Sequence, residues 1–244
     1  ILYCVDVAQS LHFVQLFAGA SQFPWFKPVA EHVVFGRMQL KDARMSTRKG
    51  TVILLDEVLD EAINRARKVV EEKNPNIENI DQVARAIGVG AVKYSVLSQN
   101  RNTNITFDWD KMLSFDGNSA PYLQYSYARA KSILRKSIAF KSDPTPIVPM
   151  ADPEETDKKI HALISLFPKF SERVLAAAEE YKPNIISNFV FDFAQTFNAF
   201  YNSVPVLKAD SKDKMEERLK IVEASAQIIQ SGLALLGVEV VEEM

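Results

Sequence analysis

Between Arg37 and Lys49 the chain carries five basic residues, Arg37, Lys41, Arg44, Arg48 and Lys49, against the single acid Asp42. The cluster follows an apolar β-type run and closes in Arg44-Met45-Ser46-Thr47-Arg48-Lys49-Gly50. This chemistry suits a polyphosphate, because Arg and Lys neutralise its oxygens and Gly lets backbone approach closely. A solvated surface loop accounts for the same charges. A second candidate lies on a helix after Pro121, where Tyr122, Tyr125, Arg129, Ser132 and Lys136 recur at spacings of three and four. Rings and cations on one stripe offer stacking and charge to an unpaired RNA base and its phosphates. Half-buried tyrosines with Arg129 stacked on them are the alternative. The neighbouring stripe, Leu123, Tyr127, Ala130, Leu134 and Ile138, reads as core. Gln9 and His12 stand at a strand-to-helix turn, where polar side chains cap, hydrogen-bond or touch a ligand.

Some features carry less. Gly88-Val89-Gly90 begins like a dinucleotide fingerprint but lacks the third glycine and a preceding strand, so it reads as close helix packing. That absence argues against a nucleotide-binding oxidoreductase, which the basic loop alone would allow. The acidic run 239–243 reads as solvated. His12, His32 and His161 are far apart with no acidic partner at ligand spacing, and Cys4 is the only cysteine. No metal site and no internal disulfide are expected.

The elements that must position these residues fall into two regimes. The apolar run 1–5, a helix over 10–20, and further β-type runs at 32–35 and 51–55 predict the trailing edge of an α/β sheet. A chain beginning on such a run is expected to continue upstream, where the rest of the sheet would lie. From Asp56, a plausible N-cap, helical periodicity takes over: 57–72, about 81–98, then 120–139, 154–181, 184–202 and 210–236. Pro168 and Pro183 mark breaks, and 105–110 is an extended link. Residues 140–153 hold Pro144, Pro146, Pro149 and Pro153 and predict an exposed connection. The fold class expected is mainly α: a Rossmann-like α/β remnant followed by an all-α helical bundle.

The 244 residues are 47% hydrophobic and 25% charged with only 8 Gly, as in a core-forming, helix-rich protein. A formal charge of −2 supplies no global field for nucleic acid, although a local patch can still bind phosphate. No stretch is apolar enough to span a membrane and no signal peptide is visible, so a cytoplasmic protein is expected.

The segment RMSTRKG, residues 44–50, resembles the KMSKS signature of class I aminoacyl-tRNA synthetases in its arginyl variant. The runs IGVGAVKYSVLSQNRNTNITFDWD, 87–110, and GNSAPYLQY, 117–125, resemble the arginyl-tRNA synthetase linker and the first anticodon-domain helix. The DALR motif of that domain survives only as Tyr127-Ala128-Arg129. The resemblance covers the whole chain, least well in the Pro-rich connection. It implies an arginine–tRNA ligase that uses ATP, with Mg2+ as the nucleotide's counter-ion, and has arginine and tRNA(Arg) as partners but neither membrane nor DNA.

The same resemblance implies roles for individual residues. Arg44, Ser46, Arg48 and Lys49 would be catalytic, His12, Met45 and Gly50 nucleotide contacts, and Gln9 an arginine contact. Tyr125, Arg129, Tyr201 and Met244 would bind tRNA. Arg44 and Thr47 stand where the signature has lysines, so the loop's charge must come from Arg44, Arg48 and Lys49. The implied parts are 1–55 (catalytic α/β), 56–117 (a helical connecting, stem-contact region) and 118–244 (the anticodon-binding domain). Met244 as last residue would match the family's natural C-terminus. The family's HIGH-type motif does not occur, which implies a fragment inactive alone. A non-catalytic RNA-binding module derived from such a domain is the alternative.

Overall fold

The computed structural model describes residues 1–40, 54–140 and 153–244. The architecture is mainly α: a thin parallel β/α layer precedes an all-helical bundle.

Strand β1 (Leu2–Asp6) pairs in parallel with β2 (Glu31–Phe35), in the register Tyr3 opposite His32 and Val5 opposite Val34. Parallel neighbours need a crossover, supplied by α1 (Ser10–Ala20). Phe13 of α1 is buried against this pair, stacked on His32 at 4.4 Å and tilted on Tyr3 at 5.2 Å. Leu11 and Val14 of α1, and Trp25 and Val29 of the segment that leads to β2, are exposed.

A second parallel pair joins β3 (Met38–Leu40) to β4 (Ile105–Phe107). The segment 105–110 is thus more than an extended link. Its first part is a paired strand, and α4 (Trp109–Met112) follows at once, capped by Asp108. Gly36 permits this contact: a Cβ there would lie 2.1 Å from the Thr103 carbonyl oxygen, while its own N–H donates to the Arg101 carbonyl at 2.7 Å.

Helix α2 (Leu55–Lys73) begins earlier than Asp56 would dictate as a cap. The Glu57 carboxylate accepts the Leu54 N–H at 3.1 Å, so Leu54 caps the helix and Asp56 lies in its first turn. Leu55 is therefore helical and not the end of a β-run; residues 51–53 of that run lie outside the described residues. Helix α3 (Ile80–Leu97) packs on α2 through Ala62, Ala66 and Val70 against Ala84, Ile87 and Ala91. A Cβ at Gly88 would lie 2.7 Å from Ile63 backbone atoms, which is the close packing expected of that glycine.

The bundle comprises α5 (Ala120–Phe140), α6 (Pro153–Ile164), α7 (Lys169–Glu180), α8 (Asn184–Ser203) and α9 (Lys212–Leu235). Its core joins Leu123, Tyr127 and Ala130 of α5 to Phe189, Phe193, Phe197 and Phe200 of α8 and Val222, Ile229 and Leu233 of α9. Each buried phenylalanine contributes roughly 1.5–3 kcal/mol of transfer free energy. Pro168 and Pro183 sit at the N-caps of α7 and α8, so the predicted stretch 154–181 is two helices. Ile138, assigned to the core stripe, is 71% exposed: it keeps the stripe's direction but lies beyond the last partners of that face.

The tail after α9 is packed. Leu236, Val238 and Val241 are buried, the Lys93 ammonium donates to the Gly237 carbonyl at 2.7 Å, and the Gln124 amide donates to the Ala86 and Glu239 carbonyls at 3.1 and 2.7 Å. The acidic run is accordingly not simply solvated, because Glu242 and Glu243 pair with Lys131 and Arg135.

Candidate nucleic-acid interface

The interface is built on α5. Its helical spacing carries Tyr122, Tyr125 and Arg129 to one side, where α8 lies alongside. Across the gap α8 presents Asn198, Tyr201 and Asn202, again at spacings of three and four, and the tail brings Met244. The Arg129 guanidinium lies between two rings, its Cζ 4.6 Å from the Tyr125 centroid and 4.9 Å from that of Tyr201. Both rings remain over a third exposed, at 36% and 37%, so each keeps surface for a further planar partner. Arginine on half-buried tyrosines and open aromatic surface are therefore both present in one arrangement.

Arg129 is held from behind. Its Nη1 donates to Asn198 Oδ1 at 3.0 Å, and Asn198 Nδ2 donates to Tyr122 Oη at 2.9 Å and Ser126 Oγ at 2.8 Å. A charge-assisted bond to a buried amide orients the guanidinium and uses only one of its five N–H donors. In front lies a cavity of about 560 Å³, bounded by Lys73, Phe115, Tyr122, Tyr125, Arg129, Asn198, Asn202 and Met244. Lys73 Nζ sits 4.7 Å from the Phe115 ring, and Phe115 meets Tyr125 edge-on at 6.2 Å. A second recess of about 340 Å³ shares Tyr125, Arg129 and Met244 and is walled by Tyr201, Arg135, Glu242 and Glu243. The combination offers stacking faces, hydrogen-bonding amides and cations, as recognition of unpaired bases requires.

Tyr125, Arg129, Tyr201 and Met244 are thus brought together. Gln9 and His12 are not part of this group. Gln9 ends a 3-10 turn, Val7–Gln9, just past the C-terminal end of β1, and His12 lies in the first turn of α1; both are exposed. Asp6 caps this turn by accepting the Ala8 N–H at 2.7 Å and pairs with Arg37 at 3.1 Å. The Ala8 N–H, and then Arg37, hold its carboxyl below the usual value. Crevices beyond the carboxyl ends of parallel strands are the usual ligand sites of open α/β sheets. Arg44, Met45, Ser46, Arg48, Lys49 and Gly50 lie outside the described residues.

Sequence reasoning missed Asn198, Asn202, Lys73 and Phe115. For Asn198 a signal existed: it is a polar residue within the Phe-rich face of α8, and buried amides are retained there only when partnered. Lys73 and Phe115 had none, because neither shares an element with the others. Among the described residues no cluster of His, Cys, Asp and Glu could hold a metal ion, and no helix is long and apolar enough to cross a membrane.

Comparison with known proteins gives the chain's family. Residues 1–109 match the family of class I (R) tRNA synthetases in its catalytic domain, and residues 123–244 match the DALR anticodon binding domain. The chain is 39% identical over 248 residues to the arginine–tRNA ligase of Clostridium perfringens and 38% identical over 246 residues to that of Clostridium botulinum. It is wholly covered in both alignments but spans only 42% of those relatives. Its structure resembles the arginyl-tRNA synthetase of Thermus thermophilus with a TM-score of 0.83 and 34% identity, over the whole chain and 41% of that protein. The Plasmodium falciparum arginyl-tRNA synthetase shares the fold, with a TM-score of 0.75 at 22% identity over 100% of this chain and 41% of that one. A class I (R) catalytic match that runs into a DALR match leaves one placement: the chain belongs to the arginyl-tRNA synthetase family.

Proposed function

We propose that the chain is part of an arginine–tRNA ligase, which uses ATP to activate arginine and transfers it to tRNA(Arg). Residues 1–55 would serve catalysis, 56–117 connect the parts and contact the stem, and 118–244 bind the anticodon. The observation that carries this reading is the Arg129 guanidinium between the rings of Tyr125 and Tyr201, at the edge of a cavity that Met244 also lines. An unpaired base stacks on the open ring surface while Arg129 supplies charge to its phosphate. Tyr125, Arg129, Tyr201 and Met244 are the tRNA contacts in this assignment.

At the other end, Gln9 contacts arginine, and His12, Met45 and Gly50 contact the nucleotide. Arg44, Ser46, Arg48 and Lys49 act on the triphosphate. Their contribution is electrostatic: positive charge stabilises the negative charge gained when the arginine carboxylate attacks the α-phosphorus and pyrophosphate leaves. Mg2+ accompanies ATP as its counter-ion, without a dedicated protein site among the described residues. Cations and hydrogen-bond donors at the carboxyl end of a parallel strand are suited to such a ligand.

Titration of the chain with an arginine-tRNA anticodon stem-loop tests the assignment. Tyr125→Ala is expected to cost roughly 1–3 kcal/mol of binding through lost stacking. Tyr201→Ala and removal of Met244 act in the same direction, and pairs of changes are less than additive because they share a cavity. The loss is much smaller with a stem-loop from a tRNA for another amino acid. Equal losses for both RNAs, tracking a lower melting temperature, would sink the assignment and return the tyrosines to a packing role.

A further inference from the structure

We propose that Lys131 and Arg135 form a docking strip for the RNA phosphodiester backbone, and that Glu242 and Glu243 occupy this strip in the free chain. The inference rests on the RNA-binding reading of the neighbouring pocket. Lys131 and Arg135 are one turn apart on α5 and so face the same way. Arg135 walls the recess that Tyr125, Arg129 and Tyr201 also line, so a strand leaving the rings passes the strip directly. Lys131 Nζ lies 3.0 Å from Glu242 Oε1, and Arg135 Nη2 lies 3.0 Å from Glu243 Oε1. Arg135 Nη1 also donates to the Glu242 carbonyl at 3.1 Å. Each carboxylate places an anionic oxygen on a cation that would pair equally with a phosphate oxygen, so tail and phosphate compete for the strip.

Two features make this occupancy exchangeable. Arg135, Glu242 and Glu243 are exposed and Lys131 is half-buried, with 30% of its side chain accessible, so solvent screens the pairs and they break readily. The tail also does not depend on them for its path. Leu236, Val238 and Val241 are buried, and the carbonyls of Gly237 and Glu239 are held by Lys93 and Gln124.

Salt dependence provides the readout. Rising salt weakens the Lys131–Glu242 and Arg135–Glu243 pairs as well as the phosphate contacts, so exchanging carboxylate for phosphate offsets part of the salt dependence those contacts would otherwise add. In Glu242→Gln/Glu243→Gln the strip is free, and each cation contributes as an ordinary phosphate contact. Affinity for an arginine-tRNA anticodon stem-loop is then expected to rise about three- to tenfold at low salt. The slope of log K against log salt steepens by up to about 1.4, two contacts at ~0.7 per phosphate. Because the gain is electrostatic, an unrelated stem-loop of equal length gains by the same factor. Lys131→Gln/Arg135→Gln loses affinity for both RNAs and flattens the slope. Thermal melts run alongside are expected to change little in either pair of substitutions.

Unchanged affinity and slope in the glutamine variant would overturn the proposal. So would a loss of affinity at unchanged melting temperature, which would make the carboxylates part of the RNA-binding arrangement. Failure of the wild-type chain to bind either RNA would remove the RNA-binding reading itself and the strip with it.

Discussion

Asn198 commits both ends of its amide inside the interface, its Oδ1 accepting from Arg129 and its Nδ2 donating to Tyr122 and Ser126. It is 8% exposed, so water cannot easily replace these partners. Asn198→Leu leaves the guanidinium without its anchor and the buried Ser126 and part-buried Tyr122 hydroxyls without this donor, at an expected cost of about 1–3 kcal/mol in unfolding free energy. Asn198→Asp keeps the acceptor and gives Arg129 an ionic partner. It should therefore cost less stability while weakening RNA binding, because the charge offered to phosphate is partly neutralised. Melting curves and stem-loop titrations of the two variants separate these effects. If Asn198→Asp bound RNA as tightly as wild type, the Arg129 charge would not be what the phosphate meets.

Among elements, the α2–α3 pair depends on one missing side chain. A methyl at Gly88 would meet Ile63 and Ala62 backbone atoms at 2.7–2.8 Å, and backbone cannot rotate aside as a side-chain tip can. Gly88→Ala is expected to destabilise by about 1–3 kcal/mol despite alanine's better helix propensity. Gly19, near the end of α1, has nothing within 4 Å of its Cβ position. There propensity decides, and Gly19→Ala should be neutral or stabilising by about 0.5 kcal/mol. Chemical denaturation of both variants reads the contrast in sign. The pair matters for function because Lys73, at the end of α2, and Val70 reach the interface cavity only while the two helices stay close.

Across the whole molecule, Arg101 joins the β/α layer to the bundle. Its Nη1 donates to the Val34 carbonyl of β2 at 2.8 Å, and its Nε donates to the Tyr181 carbonyl beyond α7 at 3.0 Å. Hydrogen bonds from a charged donor contribute about 1.5–3 kcal/mol. Arg101→Met should leave both parts folded but loosen β2 relative to the bundle. Amide exchange is expected to speed up in β1 and β2 and stay unchanged in α8 and α9. Arg101→Lys, with one donor group in place of a fork, should restore protection only in part. Faster exchange throughout would show that Arg101 supports the bundle's own stability instead.

What the sequence determined by itself is local. The helix Ser10–Ala20, the ends set by Pro168 and Pro183, and the shared face of Tyr122, Tyr125 and Arg129 follow from periodicity and backbone chemistry, which act over a few residues. Tyr201 and Met244 were named only through family resemblance, because no spacing relates them to Arg129. Tertiary structure decided that β4 pairs with β3, that Glu242 and Glu243 meet Lys131 and Arg135, and that Asn198 orients the guanidinium. Strand pairing, ion pairing and buried amide networks are contacts between distant segments, and their partners are chosen by which surfaces the packed helices bring together. Ile138 shows the limit from the other side: periodicity gives the direction of a face, but only packing determines how far along a helix that face is covered.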